Sequence, residues 1–246
     1  MRKHIRLPDM KRFHTLLLIP ILIFGCAPAL AEVGGYRVEV IVFQNLLTDV
    51  NAVEIDKLQS FAHIPGLQDN SLPDDLIVLQ DRSQRMEGVW QRLRNSKSYR
   101  PLIYTSWVQN NIDYYPPFRI HDDVIVDTQI RSPGNIVVAN LEARDPLEAY
   151  RNNFYRLDGS AQLRHSRFLH INLNLEYRVP ADTGITREAD QPDLDVYRLK
   201  QSRQVKTDRL QYFDSPWFGA LVLVIPIAAE PVITEPAQSG QLNNSN

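Results

Sequence analysis

The side chains best suited to chemistry in this 246-residue chain are few, and their spacing works against them. His121-Asp122-Asp123 offers three metal-binding groups in a row, but consecutive residues of a strand point to alternate faces. Reaching one ion would take a sharp turn, so the run reads as a solvated loop. His165 and His170 are five residues apart, an odd separation that places them on opposite faces of a continuous strand. Carboxylate pairs occur at Asp74-Asp75 and Asp122-Asp123, both in turn-like segments with no partner acid, which does not suit glycoside hydrolysis. There is no Gly-x-Ser-x-Gly elbow and no phosphate-cradling Gly-rich loop, and the chain has 10 glycines in all. The sequence therefore offers no catalytic constellation, and no metal or cofactor is expected.

What remains is aromatic and amide-rich surface. "LIYTSWVQNN" contains Trp107 and Gln109, and "LQYFDSPWFG" contains Tyr212, Asp214 and Trp217. A flat apolar ring beside polar groups serves saccharide binding and protein interfaces alike. The alternative is that Trp107 and Trp217 belong to the core. The basic residues are lopsided: residues 32–246 hold 18 Arg against Lys57, Lys97, Lys200 and Lys206. Guanidinium groups pair with carboxylates in a planar fork, so Arg100 and Arg203 are candidates for a carboxylate-bearing ligand. Genomic base composition explains the same bias without a ligand.

The elements that would carry these residues follow an export signal. Residues 15–24, "TLLLIPILIF", form a short apolar run preceded by Lys11 and Arg12. Ten residues are too few to cross a bilayer, which takes about 20, but they suit a secretory signal. Ala29-Leu30-Ala31 is a small-x-small cleavage site, so residues 1–31 read as a cleaved signal peptide, with Met1 or Met10 as the start. The alternative is a lipoprotein acylated at Cys26, whose Gly25-Cys26 fits a lipobox although Phe24 is bulky. Cleavage after Ala31 would leave no cysteine, and so no disulfide or thiol chemistry, in an oxidising compartment. Of 27 basic and 29 acidic residues, the signal removes five basic and Asp9, leaving 22 against 28. That acidic balance argues against nucleic acid and anionic membrane as partners.

Residues 32–246 suffice for one domain with a real core. Alternating apolar residues predict strands over 36–45, 99–109, 124–129, 135–143, 167–179, 195–205 and 218–227. In the 167–179 segment Leu169, Ile171, Leu173, Leu175 and Tyr177 face a core, and His170, Asn172, Asn174 and Glu176 face water. Helical spacing predicts helices over 49–61, 82–95 and 145–157, the last with Asp145 and Pro146 as a start signal. The segments 65–75 and 180–192 read as loops. The fold class is α+β: a mixed, largely antiparallel sheet with a few packed helices. It would occupy 32–229 as a single domain, with 230–246 as a disordered tail.

Four segments in order, "YRVEVIVFQ", "LRNSKSYRPLIYTSWVQ", "RFLHINLNLEY" and "SRQVKTDRLQYFDSPWFGALVLVIPI", resemble the CsiV family of periplasmic peptidoglycan-binding proteins. Where relatives show His-Tyr-Phe-Asp-His-Pro-x-Phe-Gly, this chain has Gln211 and Ser215 in place of both histidines. The family's Arg-Tyr-Leu-His pattern stands here as Arg167-Phe168-Leu169-His170. The resemblance implies a non-catalytic periplasmic protein of Gram-negative bacteria. It would bind peptidoglycan and promote wall assembly through an outer-membrane lipoprotein activator of a penicillin-binding protein. The competing expectations are a periplasmic protein-protein scaffold without wall binding and a cryptic wall hydrolase.

Overall fold

β-Branched side chains pack well on a pleated surface, and Val38, Val40 and Val42 alternate with Arg37, Glu39 and Ile41. In the computed structural model this segment is β1 (Val33–Asn45), the middle of a five-stranded sheet. The structure describes residues 33–48, 56–66, 76–79, 85–130, 151–181 and 192–229. The remaining strands are β2 (Ile77–Val78), β3 (Tyr99–Asn110), β4 (Phe118–His121), β5 (Ile125–Ile130), β6 (Arg151–Tyr155) and β7 (Leu157–His165). They continue with β8 (Leu169–Pro180), β9 (Leu194–Gln204), β10 (Gln211–Asp214) and β11 (Phe218–Ala228). The first sheet runs β10-β11-β1-β3-β2, the second β4-β7-β8-β9, and β5 pairs with β6 alone. Every ladder is antiparallel.

The two larger sheets share one apolar core, as two packed sheets do. Val38, Val40, Val42, Trp107, Val222 and Val224 of the first sheet cluster with Leu163, Ile171, Leu173, Leu175 and Leu199 of the second. Among the described residues the one helix is α1 (Glu87–Arg94), which buries Trp90. Met86 and Trp90 pack with Ile41 and Leu223 on the other face of the first sheet. Beneath it Glu39 is fully buried. Its Oε2 accepts the Met86 backbone N–H at 3.1 Å and the Tyr104 hydroxyl at 2.8 Å. A strand carboxylate thus meets one of the unpaired donors at a helix start.

The fold is largely antiparallel, as expected, but it is sheet-dominated, and the expected packed helices reduce to α1. Of the predicted helix 49–61, residues 56–61 run without helical structure, and the rest lies outside the described residues. Of 145–157, residues 151–155 form β6 and Leu157 opens β7; 145–150 lie outside the described residues. The three-residue spacing of Phe154 and Leu157 comes from two strands separated by a bend at Arg156. The predicted signal peptide, the strand 135–143 and the tail 230–246 also lie outside the described residues. No helix among the described residues is long and apolar enough to cross a membrane.

β7 escaped the sequence because its core-facing row holds small residues, Gly159 and Ala161, in place of β-branched ones. A Cβ at Gly159 would stand 2.2 Å from the Asn174 carbonyl oxygen and 2.7 Å from the Leu175 Cα. Both are backbone atoms that cannot step aside. Gly159→Ala should therefore lower stability by about 2–4 kcal/mol, read as a shifted urea midpoint at constant slope. The buried tyrosines set an alkaline limit. Burial, aided by the Glu39 hydrogen bond, pushes the Tyr104 hydroxyl far up, and burial also raises Tyr36, Tyr177 and Tyr197. A raised folded-state pKa favours the neutral ring. Its stabilisation is intact below the ordinary tyrosine value of 10.0 and is lost as pH rises beyond it. Stability measured by chemical denaturation should decline from about pH 10 upward, and Tyr104→Phe should flatten that decline.

Candidate functional site

Side chains on one face of a sheet recur every second residue, so cross-strand rows decide which groups meet. On the outward face of the β4-β7-β8-β9 sheet one row is His121, Asp158, Glu176 and Arg198. The next is Arg119, Ser160, Asn174 and Lys200, followed by Gln162, Asn172 and Ser202. This face divides into a charged, covered end and an amide-lined, open one.

The charged end centres on Arg178, whose side chain is 1% exposed. It donates to Asp158 Oδ2 and to Glu176 Oε2, both at 2.9 Å. Arg119 forks onto both oxygens of Asp158 at 2.8 Å, and Arg198 reaches Glu176 Oε1 at 2.6 Å. Residues 56–66 close over the network as a strap. The Asp56 backbone N–H donates to the Val196 carbonyl at the β9 edge, at 2.8 Å. Glu176 accepts the Gln59 N–H at 3.0 Å, and Arg178 donates to the Gln59 carbonyl at 3.0 Å. At the far end the Arg119 N–H donates to the Pro65 carbonyl at 2.7 Å, on the β4 edge. The strap therefore crosses all four strands, with Phe61 buried beneath it.

Beside the strap lies a groove of about 490 Å³. Ser160 and Gln162 of β7, Asn172 and Asn174 of β8, and Lys200 and Ser202 of β9 line it, with Pro117 at one end. Its amides are held in a chain. Ser202 Oγ donates to Asn172 Oδ1, Asn172 Nδ2 to Gln162 Oε1 at 2.7 Å, and Gln162 Nε2 to the Tyr115 carbonyl. Asn174 Nδ2 donates to Gln59 Oε1 of the strap at 3.3 Å, while Asn174 Oδ1 is buried without a partner.

The expected site residues fall elsewhere and do not converge. Trp107 is fully buried, edge-on to Phe118 at 4.6 Å, and its Nε1–H donates to Gln109 Oε1 at 2.9 Å. Gln109 is buried too and donates across the core to the Leu163 carbonyl. Trp217 is 8% exposed and stacks flat on Tyr197 at 4.3 Å. These three are core groups, since the two sheets close over them, and the expectation of surface rings at 107 and 217 is corrected. Tyr212, Asp214 and Arg203 share an exposed corner. There Arg203 donates to the Tyr212 carbonyl and Gln201 to that of Asp214, sealing the β10 edge. Arg100 is exposed on β3, opposite Gln44 of β1. Ser215 Oγ donates to the Phe218 carbonyl at 3.0 Å and staples the β10–β11 turn.

The His121-Asp122-Asp123 run is not a simple solvated loop. Asp122 is buried, taking the Arg156 Nε–H at 2.7 Å and the Leu157 N–H at 3.1 Å, and His121 stacks on Tyr155 at 4.0 Å. No three His, Asp or Glu side chains among the described residues gather as a metal site would need. The face expected to be wet along β8 carries the groove, but it also buries Glu176 and Arg178. Polar residues alternating on three separate segments were the signal that marks the groove.

Residues 44–227, from the end of β1 nearly to the end of β11, match the family model described as Peptidoglycan-binding protein, CsiV. The chain belongs to the CsiV family of peptidoglycan-binding proteins. No curated protein and no solved structure matches it at a significant level. The match takes in both the strap and the three strands of the groove.

Arg178→Ala would leave Asp158 and Glu176 buried with one cation fewer, at a cost of about 3–5 kcal/mol. The strap also loses the Arg178 bond to the Gln59 carbonyl. Limited trypsin digestion should then cleave after Lys57 faster in the variant than in the wild type at equal folded fraction.

Proposed function

We propose that this chain binds peptidoglycan in the periplasm, through the amide-lined groove of the β4-β7-β8-β9 sheet, and does not cleave it. The observation that carries the reading is the groove itself: fixed donors and acceptors on a rigid sheet, open beside a closed strap. Family membership supports the ligand, and the signal-like residues 1–31 support the compartment. A binding role without hydrolysis fits the lining, which among the described residues contains no histidine and no carboxylate. The nearby carboxylates Asp158 and Glu176 are committed to arginines and are poor general acids or bases.

The second part of the proposal concerns the partner. An outer-membrane lipoprotein activator of a penicillin-binding protein would meet the other sheet, at the corner where Tyr99, Tyr212 and Leu210 are exposed. Exposed tyrosines are favoured anchors of protein interfaces. A scaffold that binds only proteins would use this corner alone.

Residues 32–246 should pellet with purified sacculi and release no muropeptides into the supernatant. Asn172→Leu combined with Ser202→Leu should weaken pelleting about tenfold. Tyr212→Ala should leave it unchanged. Failure of the wild-type chain to pellet would sink the wall-binding reading and leave the scaffold. Released muropeptides would make the protein a hydrolase.

A further inference from the structure

We propose that the groove takes the carboxylate-bearing peptide stem of the wall polymer, lying extended across the strands, rather than its sugar chain. This rests on the wall-binding reading and names the part of the polymer that is held.

The first ground is that the same face already holds a peptide. Ahead of the turn that the Ile64 N–H closes onto the Phe61 carbonyl, the strap is held through its backbone: Glu176 takes the Gln59 N–H, Arg178 the Gln59 carbonyl, and Arg198 the Lys57 carbonyl. The groove is the neighbouring lane. It runs in the same direction across β7, β8 and β9, and Asn174 touches Gln59 of the strap at their shared border.

The second ground is the chemistry of the lining. A peptide backbone presents N–H and C=O groups in alternation and needs both acceptors and donors opposite. Asn172, Asn174 and Gln162 supply both, since each side-chain amide carries an acceptor oxygen and two N–H donors. Among the described residues, Asn174 Oδ1 and Gln201 Oε1 are lining acceptors left without a partner. Sugar rings are usually met by a flat aromatic face, and among the described residues no aromatic side chain lines this groove.

The third ground is charge and reach. Lys200 is exposed at the groove and makes no ion pair among the described residues, leaving its ammonium for a ligand carboxylate. Three strand spacings, from beside Pro117 to Ser202, span about 14 Å, which fits roughly four extended residues. That is the length class of a wall stem peptide.

The test uses three probes with the exported chain: intact sacculi, glycan strands stripped of their stems by an amidase, and the soluble stem peptides that the amidase releases. The wild-type chain should bind sacculi, bind stripped strands at least about tenfold more weakly, and be competed off sacculi by the soluble stems. Lys200→Glu should weaken sacculus binding about tenfold with an unchanged melting temperature, and Lys200→Arg should restore most of it. Equal binding to sacculi and stripped strands, with Lys200→Glu silent, would overturn the stem assignment while wall binding stands. Absence of binding to intact sacculi would overturn both readings.

Discussion

One buried guanidinium organises the working face of this protein. A charge cannot be taken out of water alone, so Arg178 requires Asp158 and Glu176. Those carboxylates, themselves almost inaccessible, require Arg119 and Arg198. The arginines still have donors to place, and the carbonyls of Lys57 and Gln59 receive them. The strap is thus the lid that a buried ion network demands, pinned at both edges of its sheet. Well-packed apolar residues would be at least as stabilising in such a place. What the charges add is position: they fix one segment in one register across four strands. The strap then borders the groove, where Gln59 accepts from Asn174.

The rest of the molecule leaves few surfaces free for a ligand. The inward faces of the two large sheets are spent on each other, down to the polar link from Trp107 through Gln109 to the Leu163 carbonyl. The outward face of the first sheet is partly covered by α1, with Glu39 Oε2 bonded beneath it by Met86 and Tyr104. Its β10 edge is sealed by Arg203 and Gln201. The open half of the second sheet is where fixed polar groups meet a cavity. On the proposed reading the ligand meets the face whose other half is closed by the strap, because there fixed polar groups stay open beside it.

The legible parts of the fold were those written in one segment. β1, β8 and β11 show their period of two directly, and Met86, Val89, Trp90 and Leu93 show the helical period of α1. β6 and β7 were not legible, because Phe154 and Leu157 fall at a helical interval across a bend that only the ladders to β5 and β8 impose. The site was harder still. Trp107 and Gln109 are two apart on a strand and share a face, as expected, but spacing cannot say which face is covered. The groove is assembled from residues paired across β7, β8 and β9, and that register is a tertiary fact. Asn172, Asn174, Lys200 and Ser202 each look like ordinary surface until the rows are aligned.

Gln211 and Ser215, where the family pattern that the sequence resembles would place histidine, also have defined settings in the structure. Ser215 closes the β10–β11 turn through its own hydroxyl, and Gln211 lies on β10 opposite Val222. Neither lines the groove, and the amide chain from Ser202 through Asn172 to Gln162 involves neither of them. On the reading given above, wall and partner meet different sheets of one sandwich, linked where groove-lining Gln201 donates to the Asp214 carbonyl of β10. The two sheets share a single close-packed core, which resists the shape change that conventional coupling would need. Holding the polymer on one side while presenting the other raises the local concentration of the partner's surface at the wall. Such a protein would act by placement, and a rigid sandwich with two different faces is the architecture placement needs.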